Sequence, residues 1–283
     1  MSEREGSQRE GSQREGTPTE RFAGFPERAL IFYEGLEADN SKPYWTDNRT
    51  VYEECVRAPL AALLAELEPE FGAGKVFRPY RDVRFSKDKT PYKTNAAATV
   101  GDGQGAGYYL SLSAQGLFVG GGYYHTAPDQ VGRLRRAVAD DVRGPELERV
   151  LAALRKAGFE IHGERVTRAP SGYPADHPRV ELLKHKSLTA YKEWEPADWL
   201  HGREALSRVR RAWRALAPLS QWLVTNVGPP SAPPPADLDL AKADTPGTGV
   251  HNVKIGAGGR AAGRRAAGRH GRTRCTSPNS CQR

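Results

Sequence analysis

Only three cysteines occur in 283 residues. That is too few for a disulfide framework and points to a reducing compartment. Cys55 falls among apolar helix positions and reads as a small buried hydrophobe. Cys275 and Cys281 sit near the far end with no metal-binding pattern around them. No apolar run is long enough to cross a bilayer. The opening Met1-Ser2-Glu3-Arg4-Glu5 has none of the apolar character of a secretory signal. A cytoplasmic protein without membrane association is therefore expected. No Ser-His-Asp or Cys-His order for nucleophilic catalysis stands out. Gly101-Asp102-Gly103-Gln104-Gly105-Ala106-Gly107 has the wrong spacing for a dinucleotide fingerprint and is followed by a strand pattern, so it reads as a hairpin loop.

Positive charge is present but unevenly placed. The net charge is +8. Residues 228–283 hold nine Lys or Arg against three Asp, and residues 1–20 hold three Arg against five Glu. The +8 thus divides into +6 for the tail, −2 for the leader and +4 for residues 21–227. Most of the excess lies in the tail, so charge alone argues weakly for a nucleic-acid-binding core. Residues 2–16 repeat Glu-Gly-Ser-Gln-Arg and contain nothing apolar, and residues 228–283 are first Pro-rich, then Gly/Ala/Arg-rich. Both ends are expected to be disordered. The Gly/Arg stretch could bind nucleic acid loosely, but its composition specifies no partner.

Between them, residues 21–227 are enough to bury a core and are expected to form one domain. Ala29, Phe32, Tyr33 and Leu36 give one face of a first helix behind Pro26. Ser41 caps a second, long helix, whose inward positions run from Trp45 to Leu67 and which Pro59 kinks about one turn earlier. Ala96–Val100, Gly107–Ser113 and Leu117–Gly122 read as strands, the last two joined at Ala114-Gln115-Gly116. Thr126 is placed to cap another helix, and a further helix runs from Pro145 to Ala157. Short strands are expected at 159–161 and 165–167, a helix at 179–186 and a strand at 187–194. Leu206 to Leu223 supply a closing helix bent at Pro218. The expected fold class is α+β, a small, mainly antiparallel sheet covered by helices.

The densest stretch is Arg78 to Thr94. It holds six cations and two carboxylates among Tyr80, Phe85 and Tyr92. Arg78, Arg81, Arg84 and Lys87 recur every third residue, which in an extended chain or tight turn would align four cations along one edge. Aromatics interleaved with guanidinium forks suit a phosphate or carboxylate. Arg81 to Lys93 also reads R-D-x-R-F-S-x-D-K-x-P-Y-K and resembles the signature of a conserved family of uncharacterised bacterial and fungal proteins. Pro170-Ser171-Gly172-Tyr173 and His177-Pro178 resemble the same family, and the resemblance extends over Phe22 to Asn226. It implies a single α+β domain and no activity.

Three readings of function follow. In the first, Arg81, Arg84, Lys89 and Lys93 grip an anion, Ser86 donates a hydrogen bond, and Gly121 and Gly122 give backbone access at a strand end beside a helix N-terminus. In the second, the chain is an enzyme on a phosphorylated small molecule or nucleic acid, with Asp82, Asp88 or His125 in the chemistry. In the third, Asp82 and Asp88 pin the cations into an internal network of a structural or interaction protein. The glycines have a packing alternative too, as room for an aromatic such as Tyr92 or Trp45. His177, Glu181 and His185 are spaced by four and would share a helix face, but they match no metal signature and a solvated face is preferred. No metal site is assigned, and nothing names a cofactor.

Overall fold

The computed structural model of the chain describes residues 21–84, 88–101 and 106–231. In chain order these form α1 (Glu27–Ala38), α2 (Lys42–Val51), a π-helical segment (Tyr52–Arg57), α3 (Ala58–Phe71), β1 (Gly74–Val76), β2 (Asn95–Val100), β3 (Gly107–Ser113), β4 (Gly116–Tyr123), α4 (Pro128–Ala139), α5 (Arg143–Lys156), β5 (Glu160–His162), α6 (Val180–Leu183), β6 (Leu188–Trp194), a 3₁₀ turn (Asp198–His201) and α7 (Glu204–Asn226). The leader 1–20 and the tail from 232 lie outside the described residues.

The six strands make one sheet in the order β1-β2-β3-β4-β6-β5, and every neighbouring pair is antiparallel. The fold is α+β. Alternation along β4 sends Leu117 and Val119 to the helical side, where both are buried in the main core. α7 packs against this strand, and its Leu206, Val209, Trp213, Leu216 and Leu223, which recur at helical spacing, are buried in the same core. A Cβ on Gly74 would touch Leu64 of α3, which places α3 on the same side. Ala97, Phe118 and Tyr191 point the other way: each is buried, but none belongs to that contiguous core.

Local chemistry sets the helix ends. The Ser41 hydroxyl accepts from the Tyr44 amide at 3.3 Å, and Pro43 sits in the first turn. Pro59 lacks an N–H, so a carbonyl one turn earlier loses its α-helical donor. The chain widens into the π-helical turn there, with Tyr52, Cys55 and Val56 all turned inward. Gly72 closes α3 at φ 92°.

Four boundaries differ from expectation. The cap before α4 is Ala127, whose amide donates to Gln130 Oε1 at 2.9 Å, while the Thr126 hydroxyl donates to the Lys186 carbonyl at 2.6 Å. The strand expected at 165–167 is a single bridge between Arg165 and His185. The helix expected at 179–186 shrinks to one turn because Arg179 is turned into the protein, donating to the Val138 and Ala139 carbonyls. Contacts to the body of the protein also continue past 227. The Gly228 carbonyl accepts from Tyr123 Oη at 3.0 Å and Gln130 Nε2 at 2.8 Å, and Ser231 donates through its amide and hydroxyl to Asp129 at 2.8 and 2.7 Å. Residues 227–231 therefore belong with the body of the protein, strapped over the start of α4.

Candidate functional site

The signature stretch is the long tip of the β1–β2 hairpin. Beyond the paired residues Val76 and Ala98, the two arms meet again at a Tyr80–Tyr92 bridge, where the Arg81 amide donates to the Pro91 carbonyl at 2.9 Å and the Lys93 amide to the Pro79 carbonyl at 2.8 Å. Asn40, just past α1, holds the same point: its Oδ1 accepts from the Tyr92 amide at 3.0 Å and its Nδ2 donates to the Tyr92 carbonyl at 3.1 Å. The Tyr92 ring lies flat on Trp45, centroids 4.4 Å apart at 8°. Tyr80 leans on both, at 5.9 Å from Trp45 and 5.5 Å from Tyr92, yet stays 48% exposed. The hairpin base is thus anchored to an aromatic cluster that Phe32 and Tyr52 extend into the core.

Lys87 lies outside the described residues, and Arg81 and Arg84 turn onto different carboxylates. Arg81 reaches across the tip to Asp88 and to the Thr90 hydroxyl, 2.6 Å away. Arg84 turns back onto Asp82 with two parallel bonds of 3.0 and 2.7 Å. Lys89 donates to the Val83 carbonyl at 2.9 Å, and the Lys93 ammonium lies 5.3 Å from the Phe77 ring centre. Hydrogen bonds from the Thr90 amide and hydroxyl, followed by the Arg81 guanidinium, lower Asp88 from 3.8 to about 2. Asp88 is therefore a fixed anion at neutral pH, not a proton donor. Ser86 lies outside the described residues.

The glycine end of the expected anion site is elsewhere. Register places Asn95, where the hairpin tip joins the sheet, beside Ser113, whose β4 partner is Gly116. Gly122 is six residues further along β4, about 20 Å away at strand rise. Gly121 is buried, and a Cβ there would meet the Gly107 carbonyl at 3.2 Å and Leu216 of α7 at 3.4 Å. Gly122 has φ +120°, and a Cβ there would lie 2.4 Å from the Leu188 carbonyl. Gly121 and Gly122 are therefore packing positions, which admit β3, β6 and α7 rather than the aromatics Tyr92 or Trp45. His125 follows at that same far end, exposed and edge-on to Tyr124 at 4.6 Å. It cannot share a centre with Asp82 and Asp88.

The spacing-by-four argument for a metal also fails, because α6 contains only Glu181 of the three residues. His177 Nδ1 accepts from the Arg179 amide at 3.0 Å, Glu181 pairs with Arg165 and Lys184, and His185 is buried against the Ser187 carbonyl at 3.1 Å. Among the described residues, no group of three or more His, Cys, Asp or Glu is placed to hold a metal ion.

Two features were missed by sequence reasoning. Asn40 clamps the hairpin from 52 residues away, which no local pattern reveals. On β5 and β6, the Tyr191 hydroxyl donates to Glu160 at 2.9 Å and lies 3.0 Å from His162 Nε2. Period-two alternation puts Glu160 and His162 on one face, but only the β5–β6 register, Glu160 opposite Tyr191, completes the cluster. The Trp45 indole Nε1 and the Tyr33 hydroxyl, both in or beside the aromatic cluster, are buried without hydrogen-bond partners among the described residues.

A family model described as a conserved hypothetical protein (DUF2461) matches residues 28–222. The matched range contains the hairpin, Asn40 and the whole sheet. No curated protein matches the chain.

Proposed function

We propose that this chain, which belongs to the conserved hypothetical protein family DUF2461, binds an anionic ligand bearing phosphate or carboxylate at its signature hairpin. One observation carries this reading. The described part of the hairpin holds Arg78, Arg81, Arg84, Lys89 and Lys93 against Asp82 and Asp88, a net charge of 5 − 2 = +3. Each carboxylate is already committed to one arginine. The Arg84 side chain is 72% exposed, and Lys89 is exposed beside it. A guanidinium held by a carboxylate in this way is preorganised, its fork kept in one orientation at the surface. Arg81 does different work. It is the least exposed of the two arginines and ties the two arms of the tip together through Asp88 and Thr90. The ligand-facing set is then Arg84 and Lys89, with Lys93 and Arg78 adding field. Gly121, Gly122 and His125 have no part in it.

The internal-network reading has its own support, because among the described residues the side chains of Arg81, Arg84 and Lys89 bond to partners within the loop. Thermal shifts of the full chain against phosphate, citrate and sugar phosphates separate the two. A ligand that binds only the folded state raises the melting temperature as its concentration exceeds its Kd. Anion binding predicts a rise that Arg84→Ala abolishes, while Arg84→Ala alone leaves the melting temperature nearly unchanged. If no anion shifts the wild type, and Arg84→Ala lowers its melting temperature sharply, the hairpin is a structural network.

A further inference from the structure

We infer that the ligand of the hairpin is a nucleotide, a phosphate joined to a planar base, with Tyr80 as the stacking surface for the base. This rests on the anion-binding reading above and names its ligand class. Tyr80 is the one large apolar side chain of the described hairpin that is left well exposed, at 48%. It is not a loose surface residue. Its backbone sits in the bridge to Tyr92, and its ring packs at a tilt on Trp45 and Tyr92, 5.9 and 5.5 Å away at 55° and 47°. Half exposed and held by two ring contacts, Tyr80 would present aromatic surface to a ligand with part of its ordering cost already met in the fold. Stacking on such a face suits any planar π-system and is the usual way proteins hold an unpaired base.

The phosphate end is within reach. Lys89 Nζ lies 2.9 Å from the Val83 carbonyl, and Val83 is three residues from Tyr80. Three residues span at most about 10 Å, the scale of one nucleotide from base to phosphate. Arg84, next in the chain, presents its fixed guanidinium at the same end. A simple sugar phosphate or a dicarboxylate would use the cations and leave the ring idle. A nucleotide uses both.

The test is a binding titration of the full chain, followed by intrinsic tryptophan fluorescence and by calorimetry. The probes are inorganic phosphate, ribose 5-phosphate, AMP, UMP and adenosine, and the proteins are wild type, Tyr80→Ala, Tyr80→Phe and Arg84→Ala. The nucleoside monophosphates are expected to bind roughly tenfold tighter than ribose 5-phosphate, the usual worth of one base stacked on one aromatic ring. Tyr80→Ala should erase that advantage and Tyr80→Phe should keep it, while Arg84→Ala should weaken every phosphate compound alike. If AMP and ribose 5-phosphate bind equally well, or if Tyr80→Ala weakens both by the same factor, the base-stacking inference is overturned and the anion-binding reading survives. If adenosine binds as tightly as AMP, the joint use of ring and cations is overturned. If none of the phosphates binds, the anion-binding reading itself fails.

Discussion

The hairpin tip and the glycine triplet of β4 use space in opposite ways. The tip carries long charged side chains away from the sheet, and its order comes from pairs made within itself and from aromatic anchors at its base. Gly120, Gly121 and Gly122 carry no side chain at all, and the volume they leave is filled by β3, β6 and α7. A ligand could approach the first without moving any of the core. The second is closed by backbone carbonyls and by Leu216. Glycines near a helix N-terminus signal backbone access only where nothing else has taken the room, and here the sheet's own neighbours have taken it.

Tyr92→Ala removes the ring stacked on Trp45 and should cost about 3–5 kcal/mol, as for other buried aromatics cut to alanine; chemical denaturation measures it. A cost under about 1 kcal/mol would mean that the hairpin is not anchored through this ring. Gly122→Ala forces an L side chain to φ +120° and toward the Leu188 carbonyl. A loss of roughly 3 kcal/mol is expected from strain and overpacking combined. Unchanged stability together with altered ligand affinity would return the glycines to the binding site.

Asn40→Ala deletes both side-chain bonds to the Tyr92 backbone and should cost about 1–2 kcal/mol. Its larger signature should be faster amide exchange at Tyr92 and Lys93 than elsewhere in the sheet. Arg84→Ala sits at the small end, with little change in the denaturation midpoint, because the arginine side of its pair with Asp82 is exposed to solvent. A larger loss would show that the pair is structural.

Acid provides the last test. Asp88 is lowered from 3.8 to about 2, so whatever it contributes to hairpin order is complete above pH 4 and is lost as pH falls through about 2. The Thr90 amide, which donates to this carboxylate at 2.9 Å, should report that midpoint in an NMR titration, and Asp88→Asn should abolish the step. A midpoint near 4 would show that the Thr90 and Arg81 contacts do not hold in solution.

Periodicity and punctuation were sufficient for much of this fold. The inward positions of α1, the α2–α3 helix and α7 follow from apolar spacing, and Ser41 and the Ala114–Gln115 turn mark boundaries where they occur. These signals are local, since a cap or a helical face depends on residues within one or two turns. The boundaries misread were those decided at a distance. Arg179 reaches the end of α4 some 40 residues back and shortens α6, and Gly228 is drawn in by Tyr123 and Gln130.

By itself, the sequence determined that this chain would form an antiparallel α+β fold and that its densest charge would gather between Arg78 and Lys93. Both depend on residue type and short-range spacing. Only tertiary structure decided what those charges face. The strand register sets the glycine triplet and His125 at the far end of the sheet from Asp82 and Asp88. The aromatic cluster, with Asn40, decides that the hairpin base is rigid and that Tyr80 is its exposed face. Contacts of this kind join residues tens of positions apart, and their geometry exists only once the core between them has packed.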